Sequence, residues 1–121
     1  MKILVVEDEP LIRLGVVNLV EEAGFEVLEA GNADEAIGVM EAIEDVAVVI
    51  TDVDMPGSMD GIKLAHYLRG RWPPVRLIVI SGKVGVKMTD LPEGARFFAK
   101  PWQDLPLLTA VRELSGMEGT P

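Results

Sequence analysis

The amino-acid sequence predicts an α/β fold in which five parallel strands form one sheet covered by helices on both faces. Three observations carry this expectation. Five short apolar runs, most of them β-branched, alternate with stretches of helical periodicity along 121 residues. The first, third and fourth runs are nearly continuous hydrophobics, as strands covered on both faces require. Helix-ending and helix-starting residues fall between the runs, among them Gly24, Asn32, Gly70 and the pair Pro73 and Pro74.

The strands are expected at Lys2–Val6 (KILVV), Glu26–Ala30 (EVLEA), Val46–Thr51 (VAVVIT), Val75–Ser81 (VRLIVIS) and Arg96–Ala99 (RFFA). The second alternates polar and apolar residues and reads as an edge. Between the first two, Leu11–Ala23 places Ile12, Val16, Leu19, Val20 and Ala23 on one stripe opposite Arg13, Asn18, Glu21 and Glu22, and Gly24 ends that helix. Asn32 with Glu35 forms a capping-box-like start for a second helix, with Ala33, Ala36, Ile37, Met40 and Ile43 turned inward. A third helix is expected over Asp60–Arg69. The last is expected over Asp104–Leu114, with Leu107, Leu108, Val111 and Leu114 facing the core and Pro106 tolerated in the first turn. Lys83–Glu93 is punctuated by Gly85, Pro92 and Gly94, so a fourth helix there should be short or poorly formed.

Right-handed crossovers then give a three-layer (βα)5 sandwich with the flavodoxin-like strand order 2-1-3-4-5. Its ligand crevice lies beyond the carboxyl ends of strands one and three. The length suits a single domain over residues 1–121, with 116–121 as a frayed tail and no residues left for an output domain. With 49% apolar and 26% charged residues, the chain has a globular composition. No cysteine is present, which removes disulfides, thiolate nucleophiles and zinc-thiolate sites. A formal net charge of −9 repels nucleic acid and anionic lipid at long range. Neither a signal peptide nor an apolar run of roughly 20 residues is visible, so the cytoplasm is the expected location.

Glu7 and Asp8 follow strand one, Asp52 and Asp54 strand three, Ser81 strand four and Lys100 strand five. On this topology all six converge on the crevice. Like charges about 4 Å apart repel by about 1 to 4 kcal/mol, depending on the effective dielectric. Something positive must therefore sit among Glu7, Asp8 and Asp52. A hard divalent cation such as Mg²⁺ suits carboxylate, carbonyl and phosphate oxygens. Lys100 adds a point charge, and the Ser81 hydroxyl can donate to a phosphoryl oxygen. A carboxylate nucleophile, a metal and an ammonium around one phosphoryl position describe phosphoryl transfer to an aspartate.

The segments ILVVEDEP, VVITDVDMPGSMDG, VISG and FFAKP, in this order, resemble the receiver domains of two-component response regulators over essentially the whole chain. The resemblance implies that Asp52 is the phosphoacceptor, charged by the phosphohistidine of a sensor histidine kinase or phosphotransfer protein. It implies that Asp8, Asp52 and the Asp54 backbone carbonyl ligate Mg²⁺, with Glu7 acting through a bound water. Ser81 and Lys100 would hold phosphoryl oxygens, Lys100-Pro101 would be a cis peptide, and Phe97 would be the aromatic switch residue paired with Ser81. A weakly placed output surface for a downstream protein is expected around Lys83–Phe98 and the last helix. Residues 55–61 contain one residue more than the family's usual motif. The 19 positions from Ser81 to Lys100 are about one helical turn fewer.

Each residue alone has a plainer explanation. An Asp after a strand often caps a helix, Glu7 and Asp8 could cap the first helix near Pro10, and a lysine is usually solvated. His66 reads as an exposed helix residue, Trp72 and Trp102 as packing residues, and GKVG at 82–85 lacks a phosphate-loop pattern. Val84, Val86, Met88 and Leu91 could form a core face or contact a partner. Three rival functions share parts of the pattern. A haloacid-dehalogenase-type phosphatase would use Asp52 and Asp54 but needs a later acidic cluster. A flavodoxin would find its phosphate repelled by Glu7-Asp8-Glu9, and a phosphorylation-independent scaffold would not need the complete set.

Overall fold

The computed structural model describes residues 1–82 and 85–116. The elements are β1 (Lys2–Val6), α1 (Pro10–Glu22), β2 (Glu26–Ala30), α2 (Ala33–Ala42), β3 (Val46–Asp52), α3 (Gly61–Arg71), β4 (Arg76–Ser81), β5 (Arg96–Ala99) and α4 (Asp104–Ser115). Among the described residues between β4 and β5, a 3-10 turn at Met88–Asp90 stands where a helix would be. All strand pairs are parallel and run in the order β2-β1-β3-β4-β5. The expected sheet is present, and β3 runs one residue further than its apolar run, so that Asp52 is itself in the strand.

The period of two along each strand divides the core into two layers. Leu4, Val6, Val49, Leu77 and Val79 face α2 and α3, where Ala36, Met40, Leu64 and Leu68 complete one cluster. Ile3, Val5, Val48, Ile50, Ile78 and Ile80 face α1 and α4, where Val16, Val20, Leu107 and Val111 complete the other. Burial on both sides is why the central strands read as unbroken hydrophobics.

The helix stripes are rotated slightly from the sequence expectation. In α1 the buried residues are Val16, Val17 and Val20, while Ile12, near the helix start, is only half-buried. In α4 Ala110 takes the inward place assigned to Leu108, because positions 107, 110 and 111 share the face against the sheet. The α2 cap also differs in detail. The Asn32 side chain accepts from the Glu35 N–H at 2.9 Å, but Glu35 reaches back to Gly31 N–H at 2.7 Å, one residue earlier than a capping box. Asp60 caps α3 instead of belonging to it, accepting from Lys63 N–H at 2.9 Å. Neither Glu7 nor Asp8 caps α1, whose N-cap position is Glu9.

The connection from β4 to β5 is held by side chains from α3. His66 Nε2 lies 2.8 Å from the Asp90 carbonyl. The Arg69 guanidinium donates to the carbonyls of Glu93 and Val75. Leu91 and Ala95 are buried beneath and Val86 is half-buried, while Met88 is 60% exposed. The mixed expectation for this segment thus divides between core and surface; Lys83 and Val84 lie outside the described residues, as does 117–121 of the expected tail. Charge-assisted hydrogen bonds of this kind contribute about 1.5 to 3 kcal/mol. Arg69→Ala is therefore expected to cost about 2 kcal/mol, measured as a lower urea midpoint at unchanged slope. Trp72 packs edge-on against Tyr67 at 6.5 Å beneath the Arg71 guanidinium, and Trp102 packs on the α1/α4 layer. Both are packing residues, as expected.

Candidate phosphoryl and metal site

The carboxyl ends of β1, β3, β4 and β5 meet at one pole. β1 ends at Val6, whose strand partner is Thr51, and this register brings Glu7 beside Asp52. Asp52 pairs with Ile80, and Ser81 pairs with Ala99, which places Lys100 directly beyond Ser81. The Lys100 N–H donates to the Ser81 carbonyl at 2.9 Å, fixing the root of the lysine side chain.

Glu7, Asp8 and Asp52 each offer a carboxylate oxygen, and the three lie within 4.8 Å of one another. Lys100 Nζ stands 3.1 Å from Asp52 Oδ1 and 3.4 Å from Glu7 Oε1. Glu7 and Asp52 are 4% and 5% exposed, so their charges face one another with little water between them. Glu7 is tied at several atoms. Its N–H donates to the Ala30 carbonyl at 3.0 Å, its Oε2 accepts from Glu9 N–H at 3.1 Å, and its carbonyl accepts from Arg13 Nη1 at 2.9 Å.

The electrostatics follow from this crowding. Burial, reinforced by the Asp52 charge, raises the Glu7 carboxyl above its ordinary range despite the Glu9 N–H and Lys100. Burial likewise raises Asp52, with Lys100 pulling in the opposite direction. Burial alone would lower Lys100, but the carboxylates of Asp52 and Glu7 outweigh it and raise the ammonium above its ordinary value. Three ionised carboxylates against one ammonium leave the cluster two charges negative. Asp52 Oδ1 is buried, with the Lys100 ammonium 3.1 Å away. Three carboxylates that each turn an oxygen to one point, two of them buried, are the donor set that a hard divalent cation takes.

Of the residues named from the sequence, Glu7, Asp8, Asp52 and Lys100 are brought together here. Ser81 is fully buried at the end of β4, adjacent in the sheet to the strand that leads to Lys100. Asp54 is exposed two residues beyond Asp52, and Phe97 is half-buried on β5 against the α2/α3 layer. Lys100-Pro101 is cis. His66, on α3, is bound to the 3-10 turn and is not in this group. The later acidic residue Glu113 pairs with Arg96 on the surface at 2.7 Å, so it supplies no second cluster for a phosphatase.

Two residues were missed. Arg13 reads as a solvent-facing helix residue because its target, a main-chain carbonyl, leaves no mark in a sequence. Gly61 falls inside the expected helix Asp60–Arg69 with no role of its own, yet a Cβ there would lie 1.9 Å from the Asp52 carbonyl oxygen. Its signal is the glycine closing MPGSMDG immediately after the cap Asp60.

A family model described as response regulator receiver domain matches residues 3–112. The sensor kinase CckA of Brucella abortus is 36% identical over 116 residues, covering 93% of this chain but 12% of that protein's length. The chemotaxis protein CheY of Listeria monocytogenes is 30% identical over 117 residues, covering 93% of this chain and 97% of CheY. Among solved structures, the response regulator TrrA of Thermotoga maritima in complex with Mg²⁺-BeF superposes with a TM-score of 0.81. It is 26% identical and covers 93% of this chain and 97% of that one.

Proposed function

Because this chain belongs to the response regulator receiver domain family of two-component systems, we propose that Asp52 is its phosphoacceptor and that a Mg²⁺-dependent phosphorylation there switches its protein contacts. The observation that carries this reading is the buried Asp52 carboxylate, 3.1 Å from the Lys100 ammonium and clustered with Glu7 and Asp8. An Asp52 oxygen attacks the phosphorus of a phosphohistidine on a sensor histidine kinase or phosphotransfer protein. The P–N bond breaks, the imidazole leaves, and an aspartyl phosphate forms.

Asp8, Asp52 and the Asp54 carbonyl would hold Mg²⁺, with Glu7 reaching it through water. When bound, the ion offsets the carboxylate charge and that of the transferring phosphoryl group. Lys100 supplies the remaining positive charge, held in place by its main-chain bond to Ser81 and its contact with Asp52. The Ser81 hydroxyl donates to a phosphoryl oxygen, and Phe97 on the neighbouring strand repacks with it. Shifting such a two-state equilibrium from 1:99 to 99:1 requires about 5.5 kcal/mol of differential binding. Several charge-assisted contacts supply energies of that order.

The chemistry is self-directed: the chain carries one phosphoryl group and slowly hydrolyses it, without turning over a metabolite. Downstream contacts are assigned to the β4–β5 connection, β5 and α4. The setting is cytoplasmic and the partners are proteins, in keeping with the −9 charge. Among the described residues, no helix is long and apolar enough to cross a membrane.

Intact-mass measurement after incubation with acetyl phosphate tests the reading. The expected result is a gain of one phosphoryl group with Mg²⁺ and none with a chelator. No gain, or a gain indifferent to Mg²⁺, overturns it.

A further inference from the structure

We infer that Arg13, on α1, is a positioning residue for the cation site, holding the main chain of Glu7 in place from outside the acidic cluster. The inference rests on the reading of that cluster as a Mg²⁺ site and extends it to a residue that touches neither the ion nor the phosphoryl group.

Arg13 joins three pieces of the fold. Its backbone N–H closes the first turn of α1 on the Glu9 carbonyl at 2.9 Å. Its Nη1 donates to the Glu7 carbonyl at 2.9 Å, and its Nε to Glu29 Oε1 on the edge strand β2 at 3.0 Å. The guanidinium is planar, so a bond at Nε fixes where Nη1 points. Glu29, itself half-exposed, thereby orients the donor that grips Glu7.

This grip matters because of what Glu7 and Asp8 must do. Ionised beside Asp52, they repel it and each other, and they sit on a short connection between β1 and α1. Left free, that connection relaxes by moving its carboxylates apart, which disperses the ligand set. The Glu7 N–H is anchored to Ala30 in β2. Arg13 anchors the following carbonyl, so the peptide groups on both sides of the Glu7 Cα are held, the second of them being the one that leads into Asp8.

A positioning role and a purely electrostatic one predict opposite signs. Removing a cation near a cluster that binds Mg²⁺ makes the local potential more negative, and on electrostatics alone the ion binds more tightly. If Arg13 positions the ligands, its loss weakens Mg²⁺ binding. A merely structural role lowers metal-free stability and leaves the affinity unchanged.

The test is calorimetric titration of the folded, unphosphorylated chain with MgCl₂, alongside thermal melts in chelator. Arg13→Gln is expected to bind Mg²⁺ about tenfold more weakly, the lower end of what loss of an orienting partner costs a metal site. Phosphorylation by acetyl phosphate should slow at limiting Mg²⁺ and recover at saturating Mg²⁺. Arg13→Lys keeps the charge but cannot make both bonds, and should also bind Mg²⁺ more weakly. Glu29→Gln, which loosens the guanidinium from a surface position, should produce a smaller loss in the same direction.

Unchanged or tighter Mg²⁺ binding in folded Arg13→Gln overturns the inference. Should that variant not fold, unchanged binding in both Arg13→Lys and Glu29→Gln overturns it equally. A wild-type chain that binds no Mg²⁺ overturns the site assignment itself, and with it this inference, so the two failures are distinguishable.

Discussion

Asp52→Asn is expected to abolish phosphoryl incorporation and, in the same chain, to stabilise the metal-free fold. The first effect follows from chemistry, since a neutral amide oxygen is a poor nucleophile toward phosphorus and a weak ligand for Mg²⁺. The second follows from burial. Asp52 is 5% exposed, its carboxyl is raised mainly by desolvation, and two other carboxylates share its neighbourhood. Asparagine has nearly the same shape, keeps an oxygen that can accept from Lys100, and carries no charge to desolvate. Lys100 also retains Glu7 at 3.4 Å, so the ammonium is not stranded. Replacing a poorly compensated buried charge by a neutral isostere is expected to gain about 1 kcal/mol, or about 4 °C in Tm for a domain of this size. Thermal melts in chelator at neutral pH measure it. Added Mg²⁺ should raise the wild-type Tm and leave the variant nearly unmoved. A variant that melts below the wild type in chelator contradicts the assignment of Asp52 as a destabilising charge.

The sign of the pH dependence provides a second readout of the same substitution. Glu7 and Asp52 have folded-state pKa values above the ordinary 4.5 and 3.8 that they regain on unfolding. Between the unfolded and folded values the native chain binds more protons, so metal-free stability falls as pH rises through that window. Lys100, raised above 10.5, contributes stability present below that value and lost only in the alkaline range. It leaves the acidic window untouched. Mg²⁺ binds the ionised carboxylates, so its stabilising effect should grow as pH rises through the same acidic window. In Asp52→Asn the fall should be shallower, with the Glu7 contribution remaining.

Much of this was legible in the chain because burial on both faces writes an unbroken apolar run, and because each reactive group stands where such a run ends. KILVV-Glu7-Asp8, VAVVIT-Asp52 and RFFA-Lys100 each give the strand and the residue it delivers. The acidic cluster needed only the topology to bring these ends together. Helix facing was read less accurately. Val17 and Leu108 exchange depth with Ile12 and Ala110 because a helix's rotation on a twisted sheet is settled by packing and not by its own period. Arg13 and Gly61 were invisible for a different reason. Both act on main-chain atoms of residues distant in sequence or across a loop, and a backbone oxygen has no residue type to recognise.

Gly61→Ala is expected to damage both the fold and the chemistry, because the first residue of α3 is seated on the peptide that carries Asp52. The Gly61 N–H donates to the Val53 carbonyl at 2.9 Å, and an added Cβ would meet the Asp52 carbonyl oxygen at 1.9 Å, its carbon at 2.7 Å and Val53 Cα at 2.9 Å. All three obstacles are backbone atoms of a central strand and its exit, so no rotamer change relieves them. Space, not an unusual dihedral, is what demands glycine here. Either α3 lifts, carrying Leu64 and Leu68 away from the sheet residues they pack against, or the end of β3 shifts and takes the Asp52 carboxylate with it. Overpacking of this kind costs about 3 kcal/mol, and a reacting group displaced by about 1 Å loses on the order of 100-fold in rate. Urea denaturation and the rate of Mg²⁺-dependent labelling by acetyl phosphate measure the two effects. Gly38→Ala is the control: it lies within α2 with nothing within 4 Å of its added Cβ, so alanine there should gain up to about 1 kcal/mol. Wild-type stability and labelling rate in Gly61→Ala would mean that α3 yields without moving Asp52, and that the nucleophile is positioned by the strand alone.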